Sequence, residues 1–182
     1  MILYITTGTV RYLSTLQDRH PDLMLNAIGT EAILYREGEE NNPLFESASE
    51  YEVLYQQGVL SQEYPVSTHY IPVSGNGSAT ILGHLSDFHQ KLQNINGLMA
   101  YRIGRALHKD SFIVLMQWAA SSTISDFKDT DIYKGYLAPD AVKKFRDIGS
   151  VFHSSISSKT YLPKEENEEK IEELPEEERE DY

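Results

Sequence analysis

The sequence predicts an α+β fold in which one chain of 182 residues holds two ferredoxin-like halves. Two observations carry this. Short runs alternate apolar and polar residues with period two while longer runs space apolar residues at helical intervals, and the order of these runs is nearly repeated in the two halves.

The first half opens with ILYIT as a strand and TGT as a turn, followed by a helix on which Val10, Leu13 and Leu16 recur at helical spacing. Pro21 in HPD ends that helix. LMLNAI and AILYRE, separated by Gly29-Thr30-Glu31, read as a short-loop hairpin. EGEENNP is a loop, PLFES a further strand, and SASEYEVLYQQG a helix stopped by Gly58, with VLSQEYP as the junction between halves.

The second half starts again with the strand VSTHYIPV and the turn SGNG. The long helix that follows carries Ile81, Leu85, Phe88, Leu92 and Ile95 and ends at Gly97. LMAYRIGRAL and SFIVLMQWA form a second hairpin across HKD. Short helices are expected around Ile124 to Phe127, Ile132 to Leu137 and Pro139 to Phe145, and VFHSSISSKTYL is the final strand. Each half thus reads as strand, helix, two strands, helix, which is the ferredoxin-like order. Two such halves can pack sheet against sheet and leave a cleft between sheet and helices able to hold a ligand.

Composition narrows the chemistry. The chain has no cysteine, which excludes disulfides, thiolate zinc sites, iron–sulfur clusters and cysteine nucleophiles, and fits a cytoplasmic setting. MILYITTGTVRYL lacks the form of a signal peptide, and FIVLM is far too short to span a bilayer. Of the net charge of −12, the segment Lys164 to Tyr182 contributes −8 through eleven acids against three bases, leaving −4 on the body. That balance argues against a nucleic-acid partner, because phosphate contacts need clustered Lys and Arg. The acidic segment itself reads as a solvated, largely disordered extension, with Glu166 and Lys170 placed to support a transient helix.

Candidate reactive residues are few. In VSTHYIPV the period of two puts His69 on the face of Ile71 and Val73, where a hydrogen-bonded core histidine is the commoner outcome and a ligand or base the sharper one. Trp118 shares a strand face with Phe112, Val114 and Met116 and reads as a core anchor. His84 and His89 are five apart and do not align on one helical face, so a helical zinc pair is not expected. The alternation around His153 is too polar to fix its face, and SGNGS lacks the basic residue a phosphate loop would need. None of the common nucleophile, dinucleotide, phosphate-loop or zincin motifs is present.

Taken in order, YITTGTVRYL, AILYRE, SEYEVLYQQG, NGLMAYRIGR and the stretch from Leu115 through SDFKDTDIYK resemble a family of two-part proteins. It includes bacillary heme-degrading monooxygenases and the staphylococcal signal-transduction protein TRAP, and its C-terminal half is of the antibiotic-biosynthesis-monooxygenase type. The resemblance covers about residues 1 to 162. It implies a single-chain version of the dimeric α+β barrel, with an N-terminal half over 1–60, a C-terminal domain over 61–162 and an acidic tail over 163–182. It also implies heme as cofactor and, in active members, degradation of the ring by oxygen with an external electron source.

Active members use an asparagine on the strand before the long helix, a tryptophan on the short helix and a histidine one helix later as iron ligand. Here the matching positions hold His69, Phe127 and Leu137. Leucine cannot bind iron. Phenylalanine at SDFKD and the histidine at 153 both match the staphylococcal protein. Two readings follow: a heme-handling protein or heme-degrading monooxygenase in which His69 becomes the iron ligand beside Phe127 and Leu137, or a non-catalytic regulatory or stress-signalling protein that keeps the fold.

Overall fold

The computed structural model describes residues 1–39, 47–146, 156–180 and 182. In the first half, β1 (Ile2–Thr9) leads into α1 (Val10–Arg19), and β2 (Met24–Ile28), β3 (Glu31–Gly38) and β4 (Ser49–Gln57) follow. Thr9 caps α1 by accepting the Tyr12 N–H at 3.3 Å, and Leu13 is buried on its inner face. Gly29, at φ +59°, makes the two-residue turn of the β2–β3 hairpin.

In the second half, β5 (Val66–Pro72), α2 (Gly77–Lys91), β6 (Leu98–Ala106) and β7 (Ser111–Trp118) precede α3 (Ser121–Lys128), α4 (Asp131–Tyr136) and α5 (Pro139–Val142). A 3-10 turn (Lys143–Phe145), β8 (Ser157–Pro163), α6 (Lys164–Glu172) and α7 (Glu176–Arg179) complete it.

The eight strands, all paired antiparallel, close into a barrel in the order β1-β3-β2-β8-β5-β7-β6-β4. Both halves obey one rule. The first contributes β4-β1-β3-β2 and the second β8-β5-β7-β6, so each places its own four strands in the order fourth, first, third, second, as a ferredoxin-like sheet does. The halves meet at two seams. Asn26 and Ala27 of β2 pair with Pro163 and Leu162 of β8, and β4 runs along β6 from the Tyr51–Ala106 pair to the Gln57–Tyr101 pair.

Strand alternation then sorts the core into three parts. Leu3, Ile5, Ile33, Tyr35, Val66, Leu115 and Tyr161 point into the lumen. Ile2, Tyr4, Leu25 and Leu34 point outward beneath α1. Ile71, Tyr101, Ile103, Val114, Met116 and Trp118 point outward beneath the helices of the second half, where Ile81, Leu85, Phe88 and Leu92 meet them.

Two expectations are corrected. SASEYEVLYQQG is not a helix but the strand β4. Its register slips between Val53 and Tyr55, so Tyr51 and Val53 face the lumen while Leu54 and Tyr55 join the outer core. In the sequence Tyr51, Leu54 and Tyr55 fall at the i, i+3, i+4 spacing of an amphipathic helix, although the strand sends Tyr51 to the lumen and the other two to the outer core. The acidic segment from 164 is not a free extension: α6 docks through buried Asn167, which accepts the Gly29 N–H at 2.8 Å and donates to the Gly29 carbonyl at 3.0 Å. Glu165 and Glu166 in its first turn complement the helix dipole. PLFES, except its final serine, and His153 lie outside the described residues. Among the described residues, no helix is long and apolar enough to cross a membrane.

Candidate functional site

His69, Phe127 and Leu137 all face the compartment between β5–β7–β6 and the short helices. β5 turns His69 outward, one residue from Thr68 and Tyr70, which turn into the lumen. Its Nδ1 lies 2.9 Å from Ser158 Oγ on the neighbouring strand β8, where the register sets the two residues opposite. Only 3% of His69 is exposed. That burial, reinforced by the charge of Lys128, pushes the imidazole down to about 4, so the ring is neutral at pH 7.

An aromatic series fills the compartment. The Tyr133 ring sits 6.1 Å from His69 and 5.9 Å from Phe127, and Phe127 sits 4.9 Å from Trp118. Trp118 is fully buried and donates its Nε1–H to Ser67 Oγ at 3.0 Å, which satisfies the one polar atom of its ring. Leu137 is buried at the end of α4, where its N–H donates to the Tyr133 carbonyl at 2.9 Å. Position 137 and the Tyr133 wedge are therefore held by one helix end.

The core-anchor reading of Trp118 and the hydrogen-bonded-core reading of His69 match this geometry. His84 and His89 take separate partners: His84 Nε2 lies 2.9 Å from the Tyr136 carbonyl oxygen, and His89 Nδ1 lies 2.6 Å from the Tyr101 hydroxyl. Tyr133 had not stood out in the sequence. Its only local signal is Thr130 three residues earlier, whose Oγ1 accepts the Tyr133 N–H at 3.2 Å and starts α4. Ser67 and Ser158, which partner Trp118 and His69, carry no sequence signal beyond strand alternation.

The chemistry this compartment offers is limited. Around His69 it presents one neutral imidazole engaged with a hydroxyl, the rings of Tyr133, Phe127 and Trp118, and the alkyl side chain of Leu137. Among the described residues, no group of three or more His, Asp or Glu side chains gathers to hold a metal ion.

An eight-stranded antiparallel barrel built from two ferredoxin-like halves, with helices over the outer face of each, defines a single-chain α+β barrel, a fold shared with the solved structures below. No family model matches the chain. Over 162 residues, 88% of this chain and 95% of the relative, it is 25% identical to the signal transduction protein TRAP of Staphylococcus aureus. A solved structure described as a major regulator of staphylococcal pathogenesis superimposes with a TM-score of 0.78 at 19% identity, covering 90% of this chain and 99% of that one. The heme-degrading enzyme of Listeria monocytogenes superimposes with a TM-score of 0.69 at 20% identity, covering 89% and 99%. The chain resembles the TRAP and heme-degrading monooxygenase family across its whole barrel.

Proposed function

We propose that this chain is a non-catalytic regulatory protein of the TRAP type, which keeps the barrel of the monooxygenase-like class without its heme chemistry. The observation that carries this is the packed compartment: the Tyr133 ring lies 6.1 Å from His69 and 5.9 Å from Phe127, and Leu137, at the position where the resemblance implies an iron ligand, is a buried alkyl side chain. A porphyrin needs a flat, ring-sized slot and a base aimed at its centre. The residues present do not fit it. The base at 69 is turned to Ser158, and the slot is occupied by side chains. Loss of an active site on a retained fold is ordinary, since function resides in the site. A cytoplasmic setting fits a chain with no cysteine to oxidise.

Hemin titration of the purified protein tests this. The expected result is weak, unsaturable absorbance change that His69→Ala leaves unaltered. A saturable Soret shift at one heme per chain, abolished by His69→Ala, would overturn it and make His69 the iron ligand of a heme-handling protein. Loss of that Soret band on adding a reductant under air, with catalase present, would then show turnover.

A further inference from the structure

The barrel lumen is asymmetric. At one end it is filled by polar groups that reach across it. Arg102 of β6 meets Glu37 of β3 on the far wall and donates further to the carbonyls of Gln57 and Gly58, each at 2.9 Å. Beside them the Tyr35 hydroxyl donates to Asn26 Oδ1 at 2.7 Å and accepts from Gln117 Nε2 at 2.7 Å. Gln117 and Asn26 in turn hold the backbone of the linker between the halves, at Ser61, Gln62 and Tyr64. Every member of this plug has a partner, so it is a built floor.

The other end opens into a cavity of about 440 Å³. An eight-stranded barrel is just wide enough either to be filled by side chains or to hold one small ligand, and this volume lies within the range of small-molecule sites. The inward positions differ from the filled end in kind. The lining combines the apolar side chains of Ile5, Ile33 and Ile113 with the phenols of Tyr51, Tyr70 and Tyr161, Tyr70 standing opposite Ile113 in the β5–β7 register. Burial pushes the Tyr51 and Tyr161 phenols up to about 12, with Tyr70 adding to the first and Glu31 to the second, so both remain protonated donors. At the rim Lys159 lies 3.3 Å from Glu31, with about half of each side chain exposed. Such a pair contributes little, so an incoming anion can take the ammonium at small cost. A second hollow of about 350 Å³ shares Thr7, Lys159 and Tyr161 with the first and leads outward to the surface.

We propose that the open end of the barrel binds a small amphipathic anion, an aromatic carboxylate or sulfonate, with its ring against Ile5, Ile33 and Ile113 and its charged group at Lys159 and the tyrosine hydroxyls. The site is one layer of backbone away from the His69 compartment and stands whichever way the hemin titration falls.

The probe is 1-anilinonaphthalene-8-sulfonate, titrated against the full chain by fluorescence and by heteronuclear NMR. The expected result is saturable binding at one probe per chain, shifts of the Tyr51, Tyr70 and Tyr161 ring signals, and no shift of the Trp118 indole N–H on the outer face. Thr68→Phe, which projects a ring into the lumen, should weaken binding at least tenfold, and Lys159→Ala several-fold. Far-ultraviolet circular dichroism checks that both variants fold; should Thr68→Phe fail to, the rim variant decides. Absence of saturable binding, affinity unchanged by Lys159→Ala, or a shifted Trp118 indole with unmoved tyrosines would each overturn the proposal.

Discussion

His69 makes the barrel sensitive to acid in a calculable way. In the folded chain, burial and then the charge of Lys128 hold its imidazole near 4, whereas in the unfolded chain it titrates at its ordinary 6.5. Above pH 6.5 neither state carries a proton there, and the group does not alter stability with pH. As pH falls below 6.5 the unfolded chain takes up a proton that the folded chain refuses, so stability declines until pH reaches about 4, where both states are protonated. The full difference corresponds to about 3 kcal/mol, of which roughly 2 kcal/mol is lost between pH 7 and pH 5. The perturbation is His69→Gln, which keeps a polar amide opposite Ser158 but does not titrate. Urea unfolding of both proteins at pH 8, 7, 6 and 5 gives the stability gap at each pH, and groups common to both, such as His84 with its own lowered pKa, cancel. The wild type should lose about 2 kcal/mol relative to the variant between pH 7 and 5. A gap constant to within about 0.5 kcal/mol would refute the buried, neutral placement of His69.

Two further outcomes test the packing. On α2, a Cβ at Gly83 meets nothing within 4 Å, so Gly83→Ala should stabilise by about 0.5–1 kcal/mol, whereas at Gly77 it would stand 1.9 Å from the Phe145 carbonyl oxygen and Gly77→Ala should cost about 2 kcal/mol or more. Thermal unfolding separates the two, and similar midpoints would contradict the close approach of Phe145 to α2. Asn167→Ala removes both bonds to Gly29, so α6 should detach and cleavage by a glutamate-specific protease within Lys164–Glu172 should rise at least several-fold, with about 1–3 kcal/mol lost from docking. An unchanged cleavage rate would mean that these two bonds do not hold the helix.

The elements legible in the sequence were those whose burial follows a single period. α2 shows Ile81, Leu85 and Phe88 on one face, and β7 alternates Phe112, Val114, Met116 and Trp118 outward against Ile113, Leu115 and Gln117 inward. β4 was misread because its bulge changes face mid-strand, and no local pattern distinguishes that switch from a helical stripe. The tail was misread because its charge speaks for solvation while its docking rests on one amide pairing with a turn 138 residues away. Similarly, strand alternation placed His69 among apolar neighbours correctly but said nothing of Tyr133, which arrives from a six-residue helix too short to show a period. The lumen was illegible for a topological reason. Thr68 and Lys159 stand opposite only because β5 pairs with β8, and both meet Ile5 only because the barrel closes.

Phe127 and Leu137 belong to one outer cluster that Tyr133 packs against, and this bears on whether a flat ring could enter the compartment. A tryptophan and a histidine facing a porphyrin would leave an aromatic-lined void when the ring is absent, and voids of that kind lower stability. Here Phe127 packs on Trp118 and against Tyr133, while Leu137 ends the helix whose carbonyl at Tyr133 its own N–H engages. Placing a histidine at 137 would not by itself build a heme site. It would bury an imidazole beside apolar neighbours without a partner, while the Tyr133 ring still stood beside those of His69 and Phe127. In this barrel a heme site would require the α3–α4 wedge to move as a unit, and the same wedge is what now closes the outer core over β5 and β7.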